Sequence, residues 1–209
     1  MFSDKKPERP FAATLTEQTR TLFELAVDMP IASVTTLPIP AYEVASARNA
    51  LPIGPFYIGF APGAGGREKC WSLQQYINAA QIQVARGRTP VFFLGPQERQ
   101  WLSLVRREVP EALFPEYDIN GNSLGGAVFT IALATRLKLS VANDSGAGHL
   151  LAAGGQPIVS LFGATNPEKF KPPYNRRVVV RASDFGSDEV SSIPISRVIN
   201  EIDTLCDER

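Results

Sequence analysis

The strongest constraint on the fold is a change of pattern after Pro55. From there, short apolar runs rich in Val, Ile and Phe follow one another, separated by longer stretches with helical periodicity. Apolar runs without polar alternation are typical of strands that are buried on both faces, as in a parallel sheet covered by helices. The predicted strands lie at 56–61, 91–95, 139–143, 158–163 and 177–182, with a weaker one between Leu113 and Ile119.

The segments between these runs predict helices at 73–86, 97–108, 123–136, 148–153 and 195–206. Because strands and helices alternate, the predicted fold class is α/β, with a doubly wound parallel sheet and right-handed crossovers. Ligands of such sheets bind beyond the carboxyl ends of the strands. We therefore expect the functional residues at the strand ends.

Residues 1–55 have a different character. A helix is predicted at 14–29, and the proline-rich stretch that follows reads as an extended linker with a short helix around 42–49. We therefore expect two parts, an N-terminal helix and proline-rich linker at 1–55 and a ligand-binding domain at 56–209.

Charge and cysteine content exclude several classes of protein. The 21 Lys and Arg balance the 21 Asp and Glu among 209 residues, which argues against a nucleic-acid partner. With two distant cysteines and one histidine, we expect neither a disulfide framework nor a metal site. The N-terminus lacks a signal-peptide pattern and the longest mostly apolar stretch has about a dozen residues, short of a membrane span. A reducing cytoplasm fits best.

The first predicted strand ends in a glycine-rich turn that contains Gly63, Gly65 and Lys69. Glycines let a backbone approach a ligand, successive amides form an anion-binding concavity, and a lysine can reinforce it. The dinucleotide pattern GxGxxG is not met, because its third position is Glu68. The alternative is a flexible turn with a solvated lysine.

Glu98 follows the second strand. A carboxylate in that place can accept hydrogen bonds from both hydroxyls of a ribose. The alternative is that Glu98 only stabilises the first turn of a helix through the helix dipole.

The most informative stretch is 142–167. Asp144 and Ser145 can cap the next helix, while Gly146 and Gly148 leave its first amides unobstructed, an arrangement suited to a phosphate or pyrophosphate. The single histidine, His149, lies in the same turn, where a core or capping role is the alternative.

Two catalytic interpretations of this region are disfavoured. A serine-hydrolase elbow needs glycines two residues before and after the serine, where Asn143 and Ala147 stand. Cys70, beside Lys69, could be a reactive thiol of low pKa, but a packing role fits better.

Three motifs resemble those of glycosyltransferase family 9, which contains the ADP-heptose:lipopolysaccharide heptosyltransferases. They are K-x-W after the glycine-rich turn (Lys69, Trp71), G-x-x-E (Gly95, Glu98) and N-D-S-G-x-x-H-L-x-A-A-x-G-x-P-x-x-x-L-F-G at 143–163. Members of that family have the GT-B architecture of two Rossmann-like domains, one for the acceptor and one for the nucleotide-sugar donor. This chain resembles the second, C-terminal one, so the resemblance implies that most of an acceptor domain is absent.

The resemblance also implies roles for individual residues. Lys69 would contact the diphosphate and Asp144 the donor sugar, as the catalytic pair, and Glu98 would contact the ribose. The donor pocket would also include Gly63, Gly65, Ser145, Gly146, Ala147, Gly148 and His149. The expected donor is ADP-heptose, used without a metal or other cofactor. At Ala61, Ser72 and Ala164 the sequence departs from the family pattern, which weakens the choice of heptose over another sugar.

The implied reaction is transfer with inversion to a lipopolysaccharide-type, lipid-linked or other glycan acceptor, in the cytoplasm or peripherally at the inner membrane. The base would belong to the acceptor domain, so the isolated chain is expected to be an incomplete catalyst that needs an acceptor-domain partner. Two alternatives stay open. One is a non-catalytic domain of GT-B origin that serves in binding, scaffolding or self-association, for example as a homodimer. The other is half of another nucleotide-sugar enzyme such as an epimerase.

Overall fold

A computed structural model of the chain describes residue 24, residues 38–170 and residues 177–207. Of the helix predicted at 14–29, only Glu24 is among these residues, so that prediction lies outside the described part. The short helix predicted around 42–49 is present as α1, Ala41–Ala50. It packs against the domain, with Ala47 and the following Leu51 fully buried.

Five parallel strands form one sheet in the order β2-β1-β3-β4-β5. They are β1 Tyr57–Ala61, β2 Thr89–Phe92, β3 Leu139–Asn143, β4 Ile158–Phe162 and β5 Arg177–Arg181. Every residue of β1, β3 and β4 is buried, as non-alternating apolar runs predict. The doubly wound α/β class is confirmed.

Helices cover both faces of the sheet. They are α2 Leu73–Ala85, α3 Leu102–Glu108, α4 Ala127–Ala134, α5 Gly146–Ala153, α6 Pro167–Phe170 and α7 Ile195–Asp207. On one face, α2, α3 and α7 enclose one hydrophobic cluster, and on the other, α1, α4 and α5 enclose a second. The buried residues of α7 recur every three to four positions, which gives this helix a single apolar side.

The weaker strand predicted between Leu113 and Ile119 is not formed. Leu113 makes one isolated parallel bridge with Val91, and Tyr117 one antiparallel bridge with Ser123. Between them the chain turns, with the amide of Tyr117 donating to the carbonyl of Phe114. Pairing therefore stops after a single residue.

The strand order positions the site. From β1 the chain crosses to one side to form β2 and returns to the other side to form β3, so the loops after β1 and β3 leave the sheet in different directions. A crevice opens where the order reverses in this way, at the carboxyl ends of the strands. None of the helices in the described ranges is long and apolar enough to cross a membrane.

Candidate functional site

Two cavities open side by side at the carboxyl ends of the strands. The larger, of about 600 Å³, is lined by residues 67–70, Asp144, the loop 163–165 after β4, and Asp188, Glu189 and Ser191. The smaller, of about 340 Å³, is lined by residues 63–65, Phe93, residues 95–98 and residues 145–147. Asp144 and Ser145 are adjacent in sequence and belong to different cavities, so the two spaces meet at the start of α5.

The smaller cavity is built around the carboxylate of Glu98. A Cβ atom added to Gly63 would lie 2.6–2.9 Å from the carboxylate of Glu98, and one added to Gly95 would lie 2.6 Å from its Oε2. Only glycine therefore lets the carboxylate lie against both turns. Gly65 faces open space. The structure thus places Gly63, Gly65 and Glu98 around one cavity at the carboxyl ends of the strands.

Tyr117 supports the turn that leads to Glu98. Its buried hydroxyl donates to the carbonyl of Leu94 at 2.6 Å and to that of Gly95 at 3.3 Å. Burial raises the pKa of Tyr117, which keeps the hydroxyl protonated as a donor. Sequence reasoning missed this residue, because a tyrosine in an apolar run looks like a strand residue.

The larger cavity brings Lys69 and Asp144 together. Lys69 ends a short 3₁₀ turn, Arg67–Lys69, and Asp144 directly follows β3. The hydroxyl of Thr165 donates to Oδ2 of Asp144 at 2.8 Å, which holds the carboxylate in the cavity. Lys69 therefore lies at the same edge of the sheet as α5. Thr165 was also missed, because it follows a strand with no motif to mark it.

The residues at the start of α5 that were predicted to line the nucleotide-sugar pocket have different positions and partners. The hydroxyl of Ser145 accepts from the amide of Gly148 at 3.2 Å, so Ser145 is the N-cap, whereas the carboxylate of Asp144 is held by Thr165. Gly146 and Ala147 line the smaller cavity.

Gly148 and His149 are placed differently from Gly146 and Ala147. They line a separate recess of only about 10 Å³, together with Asn143, Asp144, Ser145, Ser160 and Phe162. A Cβ atom on Gly148 would lie 2.9 Å from the carbonyl oxygen of Asn143, so glycine is needed there for the helix to approach β3 closely. Residues 145–149 do not line a single pocket.

Asn143 joins the loops of the site. Its Nδ2 donates to the carbonyl of Pro62 at 2.8 Å, and its Oδ1 accepts from the amide of Trp71 at 3.0 Å and from the hydroxyl of Tyr76 at 3.2 Å. The sequence marks Asn143 only as a member of the N-D-S-G motif, because the last residue of a buried strand is expected to be core.

Cys70 lines the larger cavity as a half-buried thiol. Burial raises its pKa, and the negative charges of Glu98 and Glu68 act in the same direction. The thiol is therefore protonated at neutral pH, in agreement with a packing role. Within the described ranges, no group of three or more His, Cys, Asp or Glu side chains is arranged to hold a metal ion.

Sequence comparison places the chain among known transferases. The model of "Glycosyltransferase family 9 (heptosyltransferase)" matches residues 1–192. The chain is 33% identical over 173 residues to lipopolysaccharide heptosyltransferase 1 of Pseudomonas aeruginosa, a match that covers 81% of this chain and 45% of that protein. Across the curated relatives that it matches, the chain spans between 35% and 57% of their length.

Comparison with solved structures supports the fold. A glycosyltransferase of family 9 from Veillonella parvula superposes with a TM-score of 0.79 at 20% identity, over 98% of this chain and 63% of that one. The E. coli heptosyltransferase WaaC with ADP gives 0.70 at 18% identity, over 97% of this chain and 60% of that one. At these identities the likeness concerns the fold alone. The match of the family model, by contrast, covers most of the sequence, and the chain belongs to glycosyltransferase family 9.

Proposed function

We propose that this chain carries the donor-binding site of a heptosyltransferase and that its donor is ADP-heptose. The observation that supports this most is the pair of adjoining cavities, one with Glu98 and the glycine-rich turn, the other with Lys69 and Asp144. The nucleoside occupies the smaller cavity and the sugar the larger one. The diphosphate lies between them, beside the start of α5.

The nucleoside is held mainly by Glu98. Its carboxylate accepts hydrogen bonds from the two ribose hydroxyls, as acidic residues do at this end of other nucleotide-binding sheets. Support comes from the close approach of the carboxylate to the backbone of Gly63 and Gly95, which leaves little freedom for the side chain.

The diphosphate is held by two positive features. The positive end of the α5 dipole lies at Gly146 and Ala147, where backbone amides favour an anion. Lys69 adds an ammonium group from the larger cavity. Asp144, held by Thr165, accepts hydrogen bonds from hydroxyls of the sugar.

The proposed reaction is a direct displacement at the anomeric carbon, without a metal. A bond forms from the acceptor oxygen to that carbon while the bond to the phosphate oxygen breaks, its electron pair leaves with ADP, and the configuration inverts. Lys69 and the α5 amides stabilise the charge that grows on the leaving group. Loss of one such contact typically lowers the rate by about 10² to 10³.

The acceptor must lose a proton, which requires a base. We assign this base to an acceptor-binding region, supplied elsewhere in the polypeptide or by a partner, and the acceptor to the lipopolysaccharide-type or other lipid-linked glycans. The reaction would then take place at the cytoplasmic face of the inner membrane, and residues 56–209 would not catalyse it alone.

Calorimetry with ADP, UDP, GDP and their sugar conjugates tests the proposal. We expect ADP and ADP-heptose to bind, and Lys69→Ala and Glu98→Ala each to weaken binding at least about tenfold, or about 1.4 kcal/mol. Arg48→Ala and Glu111→Ala remove exposed charges that line neither cavity and serve as matched controls with unchanged affinity.

Three other results would contradict the proposed function. The absence of heat with every nucleoside diphosphate would exclude the proposed function. Tighter binding of UDP than of ADP would point to another nucleotide-sugar enzyme, such as an epimerase half. A dimer in light scattering that binds no nucleotide would indicate a non-catalytic role in self-association.

A further inference from the structure

Asn143 is a buried amide that makes hydrogen bonds through both its nitrogen and its oxygen. Its residue exposure is 1%, and its side chain makes the three hydrogen bonds described above, to Pro62, Trp71 and Tyr76. A primary amide offers donors on nitrogen and an acceptor with two lone pairs on oxygen. Here one N–H and both lone pairs are used, in a buried setting where such bonds are strong and costly to lose.

Two of these partners, Pro62 and Trp71, flank one loop. Pro62 precedes residues 63–70 and Trp71 follows them, and this loop carries Gly63, Gly65 and Lys69. The Trp71 end is fixed further, since its buried indole donates through Nε1 to the carbonyl of Ile193 at 2.9 Å. The next residue along the chain from Asn143 is Asp144. The side chain of Asn143 thus holds both ends of the Lys69 loop against the end of β3, directly before Asp144.

We propose that Asn143 is a positioning residue, which fixes the Lys69 loop relative to Asp144 and the start of α5. For its ligand this inference rests on the proposed function. Asn143 does not act on the substrate itself, because its side chain is buried. It acts through Lys69, which must stay in the larger cavity with Asp144 to meet the diphosphate.

Hydrogen exchange of the loop tests the positioning role without any ligand. Within the loop, the amides of Lys69 and Cys70 donate to the carbonyls of Gly66 and Arg67. We expect these two amides to exchange at least about tenfold faster in Asn143→Ala, since opening of the loop becomes easier by about 1.4 kcal/mol. Ser140→Ala is the control, because Ser140 is a buried polar residue of the same strand and lines neither cavity. Equal exchange in wild type and Asn143→Ala would overturn the proposal.

The isosteric variant Asn143→Asp separates positioning from bulk packing. An ionised carboxylate cannot donate to the carbonyl of Pro62, whereas a protonated carboxyl can, and burial raises the pKa of a carboxyl. We expect ADP affinity of this variant to be about tenfold below wild type near pH 8 and within about threefold of it near pH 5. Asn143→Ala has no proton to gain and should show no such recovery. The absence of recovery in Asn143→Asp would contradict the assignment.

A double-mutant cycle shows whether Asn143 acts through Lys69. If it does, Asn143→Asp weakens ADP binding about tenfold in the wild-type background and less than about threefold in the Lys69→Ala background. Full losses in both backgrounds would mean that Asn143 only stabilises the fold. If wild type binds no nucleoside diphosphate, the proposed function fails, and the exchange of the Lys69 and Cys70 amides still decides the positioning role.

Discussion

Gly63 and Gly65 are two residues apart in one turn, and their surroundings differ. The space beside Gly63 is occupied by the carboxylate of Glu98, whereas nothing lies within 4 Å of the Cβ position of Gly65. Neither glycine has a positive φ, so an alanine at either position is free of backbone strain. The pair therefore allows a contact to be tested with a matched control.

We predict that Gly63→Ala lowers ADP affinity at least about tenfold, because the new methyl group displaces the Glu98 carboxylate from the position in which it is proposed to bind the ribose. Gly65→Ala should bind ADP within about threefold of wild type. Calorimetry on both variants provides the measurement. Equal affinities for ADP would show that the position of Glu98 next to Gly63 does not matter for the ligand.

At the residue scale, sequence reasoning succeeded where charge and glycine mark a strand end. Lys69, Glu98 and Asp144 all lie at the expected edge because parallel strands end together. Asn143, Thr165 and Tyr117 were missed because they act through hydrogen bonds to distant parts of the chain. Such partners depend on tertiary packing, which a local motif does not contain.

At the scale of elements, the start of α5 must be capped and must also pack closely against β3. Ser145 caps the helix, and Gly148 allows it to approach the end of β3. The glycine predicted to clear space for a ligand thus serves packing, while Gly146 faces open space. Substitutions of Ser145 can therefore separate the stability of α5 from the proposed binding of an anion at its start.

We predict that Ser145→Ala lowers the free energy of unfolding by about 1 kcal/mol, since the amide of Gly148 loses its acceptor. Ser145→Asp keeps a good cap and should be close to wild type in stability, but its charge repels a diphosphate and should weaken ADP binding. Urea unfolding and calorimetry measure the two effects. Wild-type ADP affinity in Ser145→Asp would place the diphosphate elsewhere.

The helix and strand boundaries show where local pattern is insufficient. β2 begins at Thr89 instead of 91, because Pro90 lies in an edge strand, where proline is tolerated. α4 begins at Ala127 instead of 123, because Gly125 and Gly126 favour an extended start. Both errors concern glycine or proline, whose effect depends on position in the sheet or loop.

At the scale of the whole molecule, the carboxyl group of Glu116 links the long segment between β2 and α4 to the rest of the domain. Glu116 lies between β2 and α4, and the hydroxyl of Thr130 in α4 donates to it. Burial raises the pKa of Glu116, an effect that the Thr130 hydrogen bond only partly opposes. Folding therefore favours the protonated form, and the stability that this provides at low pH is lost as pH rises through the raised pKa.

We predict that Glu116→Gln gains stability relative to wild type as pH rises from about 4 to about 7, because glutamine keeps an acceptor for Thr130 and carries no charge. Urea unfolding at both pH values measures the difference. Glu111→Gln makes the same change at an exposed position of the same connection, and its difference should vary less. A constant difference for Glu116→Gln would show that its burial has no energetic consequence.

The doubly wound sheet and its binding edge followed from the pattern of apolar runs, since that pattern repeats along most of the chain. The separation of the edge into two cavities did not. It depends on how the loops 63–70 and 163–165 fold over the sheet, and on Asp188, Glu189 and Ser191, which lie far from every motif. Loops positioned by tertiary contacts are the part that sequence pattern defines least.

The chain contains two tryptophans, and each follows closely on a residue of one cavity. Trp71 comes two residues after Lys69 and is fully buried, and Trp101 is bonded through its amide to the carbonyl of Glu98 at 2.8 Å. Neither indole lines a cavity, but each tryptophan adjoins a loop or turn that does, so we expect intrinsic fluorescence to respond when a ligand shifts those segments. With Trp101→Phe the tryptophan emission comes from Trp71, two residues after Lys69, and with Trp71→Phe it comes from Trp101, three residues after Glu98. An optical titration of the two variants can thus compare the response of the Lys69 loop with that of the turn that carries Glu98.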